Sequence, residues 1–160
     1  MPITIRRATP ADLPTLGKLG ALLVRAHHDF DPQRFIPATP ETESGYSRYL
    51  GTQLDTPTVA VLVAEEDGAI VGYAYTGLEP RDYMALRGPA GALYDVVVDP
   101  TRRRHGVGRM LVQAALGFLK ERGAPRVVLS TATRNEDAQR LFESVGFRRT
   151  MVEMTAELTE

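Results

Sequence analysis

A short basic segment with two glycines lies in the second half of the chain, at residues 103–108 (Arg-Arg-His-Gly-Val-Gly). An apolar run typical of a strand, residues 93–98, precedes it, and a run with helical spacing follows as far as Arg122. The free N–H groups and the dipole at the start of a helix attract anions. Glycines let the backbone approach closely, and arginines add charge-assisted hydrogen bonds. The segment therefore predicts a phosphate-binding turn, with an ordinary strand–loop–helix connection and a solvated basic loop as the alternative.

Two common phosphate-binding loops do not fit this segment. A dinucleotide-binding fingerprint needs a third glycine at position 111, which is Leu111. A P-loop needs Gly-Lys followed by Ser or Thr, and the sequence contains no such triplet. The pattern that remains is Arg-x-x-Gly-x-Gly, beginning at Arg103.

This pattern resembles the acyl-CoA pyrophosphate loop of the GNAT superfamily of N-acetyltransferases, and residues 98–108 as a whole resemble that family's central motif. A second segment, residues 135–147, resembles the family's Asn-x-x-Ala-x-x-Leu-Tyr-Glu-x-x-Gly-Phe motif. Its matching positions are Asn135, Ala138, Leu141, Glu143, Gly146 and Phe147, with Phe142 where the family has Tyr. Two motifs in the family's order and separation are more specific than one, and the resemblance covers roughly residues 91–150.

The resemblance implies an acyltransferase, and specifically an N-acetyltransferase, that moves an acetyl group to a primary amine by direct transfer in a ternary complex. The implied cofactor is acetyl-CoA, and the implied acceptor is a small-molecule or peptide amine. The implied fold is one domain over residues 1–160 of the α/β (mixed α+β) class. Its expected order is βααβββαβαβ, with helices on both faces of a mixed central sheet. A homodimer is compatible with the same resemblance.

The resemblance also implies how CoA would be held. Backbone amides of residues 104–109 would surround the pyrophosphate, and residues 96–98 would pair with the pantetheine arm as an added strand. Such pairing requires the two neighbouring parallel strands to separate there. Asn135 would reach the pantetheine, unless it is a plain helix cap, and Phe142 would pack against the cofactor. The implied cofactor-binding residues are Val96, Val97, Val98, Arg103, Arg104, His105, Gly106, Val107, Gly108, Arg109, Asn135 and Phe142.

The reaction needs a general base, because an alkylamine with a pKa near ~10.4 arrives mostly protonated at neutral pH. The family often places Glu or His on the strand before the loop, but the corresponding residues here are Ala92 and Tyr94. The adjacent Asp95 is the candidate base, although it points to the opposite face of a regular strand unless a bulge turns it inward. Other candidates, each of which is equally explained as a surface charge, are Glu65, Glu66, Glu79 and Asp82.

Two further catalytic tasks follow from the resemblance. The family often uses a Tyr on the last helix to protonate the departing thiolate, and Phe142 cannot donate a proton. Tyr94 is the candidate replacement, with Tyr73 and Tyr75 as alternatives that packing on one strand face also explains. A backbone N–H near Val96 is the implied donor that stabilises the oxyanion.

The elements that must position these residues can be read from periodicity. Strand-like runs occupy residues 3–6, 59–64, 70–78, 91–98 and 126–130, and an alternating final run covers residues 152–158. Helical spacing recurs over residues 13–27, 46–54, 107–119 and 138–145. Thr9 and Pro10 predict a helix start, and Asp67-Gly68 predicts a hairpin turn. A helix between the fourth and fifth strands predicts that these two are parallel.

Composition limits the other classes of function. With 19 basic and 20 acidic residues, the net charge of −1 gives no general attraction to nucleic acid or an anionic membrane. The absence of cysteine excludes disulfides, a thiolate nucleophile and cysteine-ligated zinc. No signal peptide precedes the first strand and no apolar run approaches the ~20 residues of a membrane span, so a cytoplasmic location is expected. No metal site is expected, because neighbouring residues such as His27, His28 and Asp29 diverge on a helix.

Two other functions stay open at this point. Without the usual Tyr and strand base, the chain could be a catalytically weak CoA-binding regulatory module. Arg102 to Arg104 could instead contact nucleic acid, although the net charge and the lack of interleaved aromatic residues argue against that. The acceptor is set in the resembled family by two loops, which here are residues 29–38 and 79–90. Their carboxylates, Asp29, Asp31, Glu79 and Asp82, could attract a cationic amine or could be plain surface charges.

Overall fold

The computed structural model describes residues 2–159 and contains a five-stranded mixed sheet. The strands in chain order are β1 (Ile3–Arg7), β2 (Val59–Glu66), β3 (Ala69–Glu79), β4 (Ala90–Val98) and β5 (Val127–Val128). They lie in the sheet in the same order, with antiparallel pairing from β1 to β4 and a parallel pair between β4 and β5. The predicted mixed class and the predicted parallel pair are confirmed.

Helices cover both faces of the sheet, as predicted. The helices α1 (Leu13–Phe30) and α2 (Thr42–Gln53) pack on one face, and α3 (Val107–Glu121) and α4 (Glu136–Ser144) pack on the other. Short 3₁₀ turns at Pro10–Asp12 and Pro100–Arg102 lead into α1 and into the loop before α3. Among residues 2–159, no helix is long and apolar enough to cross a membrane.

The central strands are buried on both faces. In β3 the successive side chains Tyr73 and Ala74 point to opposite faces, and both have 0% exposure. Tyr73 packs in the cluster that contains Leu16 of α1 and Leu50 of α2, and Ala74 packs in the cluster that contains Leu111 of α3. Burial on both faces explains why β2 and β3 are continuously apolar in sequence instead of alternating.

The β2–β3 connection is the hairpin that the sequence predicts. Asp67 and Gly68 have φ angles of 52° and 79°. Positive φ at both central positions is what a type I′ turn requires, and this turn matches the twist of the two strands. The turn sets the register at the start of β3, and an extra residue at Val71 shifts that register before Tyr73 and Tyr75.

The predicted final strand at residues 152–158 is wrong. The structure has no strand there, and Val152, Met154 and Leu158 are 82%, 87% and 96% exposed. Among the described residues, no backbone hydrogen bond is formed from residue 148 onward. Alternation makes a strand only where a free sheet edge offers hydrogen-bonding partners, and within this chain the segment meets none. It is instead held by an ion pair between Arg34 and Glu153, 2.5 Å long.

Two predicted boundaries also differ from the structure. The strand expected over residues 126–130 pairs only at Val127–Val128, because β5 separates from β4 beyond that point. The loop expected from residue 29 begins at Asp31, because α1 continues to Phe30 and ends with the Asp31 N–H donating to the His27 carbonyl at 3.1 Å.

A buried carboxylate fixes the first strand to the turn before α1. The two terminal nitrogens of Arg6 donate to the two oxygens of Asp12 at 2.8 and 3.0 Å, and the Thr9 N–H donates to Asp12 at 2.8 Å. Asp12 is only 8% exposed. The hydrogen bonds from Arg6 hold the pKa of Asp12 below its usual range, and the bond from Thr9 acts in the same direction.

Replacing Asp12 with Asn is expected to lower the free energy of unfolding by about 1.5–3 kcal/mol at pH 7, because it removes charge-assisted hydrogen bonds. Since the folded-state pKa of Asp12 is depressed, the stabilisation is complete above the usual Asp pKa of about 3.9 and disappears as the pH falls through the depressed value. Urea unfolding at pH 3 and pH 7 measures this. The exposed Asp55→Asn variant is the matched control, and an equal Asp12→Asn effect at both pH values would contradict the assignment.

Candidate active site

A bulge in β4 decides which way its central side chains point. Tyr75 pairs with Asp95 and the next residue of β3, Thr76, pairs with Leu93, so Tyr94 is an extra residue without a partner. An inserted residue breaks the alternation and places two successive side chains on one face. Tyr94 and Asp95 both lie on the face covered by α1 and α2, where the Tyr94 ring packs against Tyr75 at a centroid distance of 4.7 Å. The bulge that the Asp95 prediction required is therefore present.

Asp95 sits in a largely buried, hydrogen-bonded environment. The Tyr73 hydroxyl, itself fully buried, donates to Asp95 Oδ2 at 3.0 Å. Burial raises the pKa of the Asp95 carboxyl, while the Tyr73 hydrogen bond and the nearby His27 oppose that rise. A carboxylate with a raised pKa accepts a proton more readily than an ordinary surface carboxylate.

The first cavity lies where β4 and β5 separate. β5 pairs only with Gly91 and Ala92, so from Leu93 onward β4 has no strand beside it on that side. The cavity has a volume of about 300 Å³ and is bounded by β4, α1, α4 and the segment after β5. Its lining residues include Leu23, Val24, His27, Leu93, Tyr94, Asp95, Val96, Leu129, Ser130, Thr131, Asn135, Ala138 and Phe142. An exposed strand edge beside a narrow cavity suits an extended ligand that pairs with backbone groups.

The basic loop follows β4 directly and leads into α3. Arg104 and Gly106 have φ angles of 68° and 80°, and α3 begins at Val107. Arg102 forms an ion pair with Glu66 at 3.1 Å, whereas Arg103, Arg104 and His105 are exposed. A left-handed residue followed by a helical one, as at Gly106 and Val107, turns successive N–H groups toward one side, an arrangement that suits an anion. Val107 can contribute only its backbone, because its side chain is 2% exposed and packs in the core.

The start of α3 also packs tightly against α4. A Cβ atom at Gly108 would lie 3.2 Å from Leu141 Cδ2 and 3.7 Å from Val98 Cγ2. Arg109 donates to the Ser144 hydroxyl at 3.0 Å, so its guanidinium joins the two helices and is directed away from the loop. A side chain at position 108 would therefore crowd Leu141, so a glycine suits the close packing of α3 against α4.

Asn135 and Phe142 both line the first cavity from α4. The Asn135 Oδ1 accepts the Ala138 N–H at 3.2 Å, so the helix-cap alternative for this residue is confirmed. Asn135 also lines the cavity, so the cofactor contact stays a prediction beside its role as a helix cap. Phe142 stacks edge-to-face on Phe147 at 5.8 Å and presents an apolar surface to the cavity.

A second cavity of about 620 Å³ meets the first at Asp95. Its walls come from α1, α2 and the ends of β3 and β4. The lining residues are Val24, Ile36, Thr42, Gly45, Tyr46, Tyr49, Tyr75, Glu79, Tyr94 and Asp95. Tyr46, Tyr94 and Asp95 border both cavities. The Tyr94 hydroxyl donates to the Glu79 carboxylate, which raises the pKa of Tyr94 together with burial.

Most of the alternative carboxylates are already engaged elsewhere. Glu65 pairs with Arg6 at 2.6 Å and Glu66 pairs with Arg102. Asp82 accepts backbone N–H groups of its own loop at 2.9 and 3.1 Å. Only Glu79 and Asp95 border a cavity, and Asp95 alone borders both.

The comparison with known families settles the class of protein. Residues 23–147 match the sequence model of the acetyltransferase (GNAT) family. The chain belongs to this family. A mycothiol acetyltransferase of Thermomonospora curvata is 37% identical over 94 residues, which is 59% of this chain and 29% of that protein. The chain spans between 27% and 38% of the length of the named relatives that it matches.

Solved structures share the whole fold of this GNAT chain. A mutant protein from Bacillus halodurans has a TM-score of 0.84 at 23% identity and covers 98% of this chain and 99% of its own. An aminoglycoside N-acetyltransferase in complex with CoA has a TM-score of 0.75 at 18% identity and covers 98% of this chain and 94% of its own. At these identities the likeness establishes the fold.

The GNAT site contains residues that sequence reasoning missed. His27 borders the first cavity, and its Nδ1 bonds the Leu23 carbonyl at 2.8 Å. Because a carbonyl only accepts, His27 Nδ1 carries the hydrogen in this bond. The available signal was a histidine at the helical spacing of the apolar residues of α1. Tyr46 falls within the helical spacing predicted over residues 46–54, and nothing in the sequence marks Ser130 and Thr131.

Proposed function

We propose that this GNAT chain transfers an acetyl group from acetyl-CoA to a primary amine by direct transfer in a ternary complex. The observation that carries the proposal is that Asp95 lies where two cavities meet. One cavity lies beside β4 where β5 separates from it, and the other opens on the α2 side. Acetyl-CoA supplies the acetyl group as an activated thioester. The alternative is a catalytically weak CoA-binding regulatory module.

The residues around the first cavity fit an acyl-CoA. The N–H groups of the first turn of α3 and the charges of Arg103 and Arg104 suit a pyrophosphate. The free edge of β4 at residues 96–98 suits the amide groups of a pantetheine arm. Asn135 and Phe142 supply one polar and one apolar contact from the opposite wall. These contacts are proposed from the positions of the loop, the free edge of β4 and the residues that line the cavity.

Asp95 is proposed as the general base for the incoming ammonium group. Its raised pKa favours proton uptake, and the Tyr73 hydrogen bond fixes the orientation of its carboxyl. His27 also borders the first cavity, and its electrostatic interaction with Asp95 lowers the pKa of that carboxyl. General base catalysis by one positioned group contributes about 10²–10⁴ in rate.

Tyr94 and the Val96 backbone complete the proposed catalytic set. A tyrosine hydroxyl is protonated at neutral pH, as a proton donor must be, and Tyr94 borders both cavities. The Val96 N–H is the proposed donor to developing negative charge, because Val96 borders the first cavity immediately after Asp95. A preorganised donor of this kind stabilises the transition state by about 2.7–4 kcal/mol.

Calorimetric titration with acetyl-CoA, followed by a thiol-release assay with a panel of primary amines, tests the proposal. Binding together with amine-dependent thiol release supports the acetyltransferase. Binding without release from any amine favours the regulatory module. No binding by a folded protein would contradict both, because the loop would then be only a structural connection.

We also propose a homodimer, in which residues 148–159 form part of the contact. The segment carries exposed apolar side chains at alternate positions and forms no backbone hydrogen bonds within the described residues. Exposed apolar side chains beside unpaired backbone groups favour contact with another chain. Light scattering of the protein beside a variant ending at Thr150 tests this, and a monomeric parent would contradict it.

A further inference from the structure

The walls of the second cavity are unusually rich in tyrosine. Tyr46 and Tyr49 come from α2, Tyr75 from β3 and Tyr94 from β4. Tyr49 and Tyr94 are 52% and 40% exposed, so these two rings do not simply fill the core. Aromatic faces of this kind bind flat apolar groups by stacking and ammonium groups by cation–π attraction.

The tyrosine rings are held in place by their own contacts. Tyr75 and Tyr94 are tilted by 39° with centroids 4.7 Å apart, and Tyr49 meets Tyr75 edge-on at 6.0 Å. The Tyr75 hydroxyl bonds the Tyr49 hydroxyl at 3.0 Å and donates to Gln53 Oε1 at 3.1 Å. Rings that are fixed before binding lose little conformational entropy when a ligand arrives. The cavity is therefore preorganised for an aromatic or other flat ligand.

The charges around the cavity are few and of one sign. Glu79 and Asp95 are its only acidic lining residues, and neither cavity has a lining Lys or Arg among the described residues. A negatively charged acceptor would find no cationic partner there. A polyamine or an aminoglycoside carries several ammonium groups, and each one without a carboxylate partner would be desolvated at a cost. One reacting ammonium group, by contrast, meets Asp95 at the junction.

We infer that the second cavity binds a primary amine that carries one positive charge on a flat, apolar body. This inference rests on the proposed acetyltransferase function and names its acceptor class. The amine nitrogen lies toward Asp95, and the apolar body lies against the rings of Tyr49, Tyr75 and Tyr94. The volume of about 620 Å³ falls within the range of about 300–1,000 Å³ typical of small-molecule sites.

The test compares four amines and two variants of the cavity residue Tyr49. The amines are 2-phenylethylamine, n-hexylamine, spermidine and kanamycin, and the measured quantity is kcat/KM for thiol release from acetyl-CoA. We expect 2-phenylethylamine to have the highest value. Tyr49→Leu should raise the KM for 2-phenylethylamine by about 2- to 30-fold with little change in kcat, as expected for loss of one cation–π or stacking contact. Tyr49→Phe should keep the parent KM.

Tyr83→Leu is the matched control, because Tyr83 is 79% exposed on the β3–β4 loop and borders neither cavity. An unchanged KM in Tyr49→Leu would overturn the inference. A kcat/KM for spermidine or kanamycin equal to that for 2-phenylethylamine would also overturn it, while leaving the acetyltransferase proposal intact.

A binding measurement separates the two proposals. Calorimetric titration of 2-phenylethylamine into the protein saturated with CoA reports occupancy of the cavity without turnover. Binding that Tyr49→Leu weakens, with no acetylation of any amine, would support the acceptor class and contradict the catalytic proposal. Absence of both binding and turnover would contradict both.

Discussion

Replacing Asp95 with Asn is expected to lower kcat for amine acetylation by about 100- to 10,000-fold, the contribution of a positioned general base. Asn has nearly the same size and can still accept the Tyr73 hydrogen bond, but it cannot take a proton. The affinity for acetyl-CoA should be unchanged, because the proposed CoA contacts lie on other residues. Thiol release at saturating amine measures kcat, and calorimetry measures the affinity.

Loss of activity in Asp95→Asn should not come from unfolding. Because burial raises the pKa of Asp95 in the folded protein, the parent loses stability as the pH rises from the usual Asp value of about 3.9 through the raised value. The Asn variant lacks this loss, so at pH 7 it should be at least as stable as the parent in urea. Full activity in Asp95→Asn would contradict the assignment and direct attention to Glu79 or His27.

The pH dependence of kcat provides an independent check on the same carboxyl. The parent should lose activity on the acid side as Asp95 becomes protonated. The Tyr73 hydrogen bond lowers the pKa of Asp95, so Tyr73→Phe should move this acid limb to higher pH. An acid limb at the same pH in both proteins would show that a different group titrates.

Replacing Gly108 with Glu is expected to weaken acetyl-CoA binding by about 100-fold or more. The new side chain meets Leu141 and Val98 at the start of α3, and its charge repels a pyrophosphate at the helix N-terminus. Each charge-assisted hydrogen bond contributes about 1.5–3 kcal/mol, so losing a pair of them accounts for an effect of this size. Calorimetric titration with acetyl-CoA measures it.

Gly117→Glu is the matched control for that variant, because Gly117 lies on the same helix and its Cβ position has no atom within 4 Å. It should bind acetyl-CoA like the parent. Circular dichroism must show that Gly108→Glu is folded. If the folded variant binds like the parent, the loop does not hold the cofactor.

The sequence predicts the fold well wherever the signal is local. The Asp67-Gly68 turn, the buried runs of β2 and β3 and the apolar stripe of α3 are each decided by a few neighbouring residues. The prediction of a final strand fails because strand pairing depends on a distant sheet edge, which the alternation of residues 152–158 does not encode. β5 is shorter than the predicted strand for a related reason, because the separation of β4 and β5 is a property of the whole sheet.

The candidate site shows the same contrast between local signals and properties of the whole fold. The glycine-containing loop and Asn135 could be placed from motifs, since their roles depend on sequence neighbours. The orientation of Asp95 depends on the register between β3 and β4. The sequence could therefore predict Asp95 as the base only if β4 contained a bulge. His27 and Tyr46 reach the site from two helices that pack on the sheet, and no local pattern distinguishes them from core residues.

The bulge at Tyr94 also bears on how this strand tolerates insertions and deletions. Removing one residue of β4 before Tyr94 would absorb the bulge and restore regular alternation. Asp95 would stay opposite Tyr75, while Tyr94 would turn to the face beneath α3 and Leu93 to the face beneath α1 and α2. A substitution in β4 changes one contact at a time. An insertion or deletion instead moves side chains from one face of the sheet to the other. Alignments of related chains therefore need their gaps placed correctly in this strand before its residues are compared.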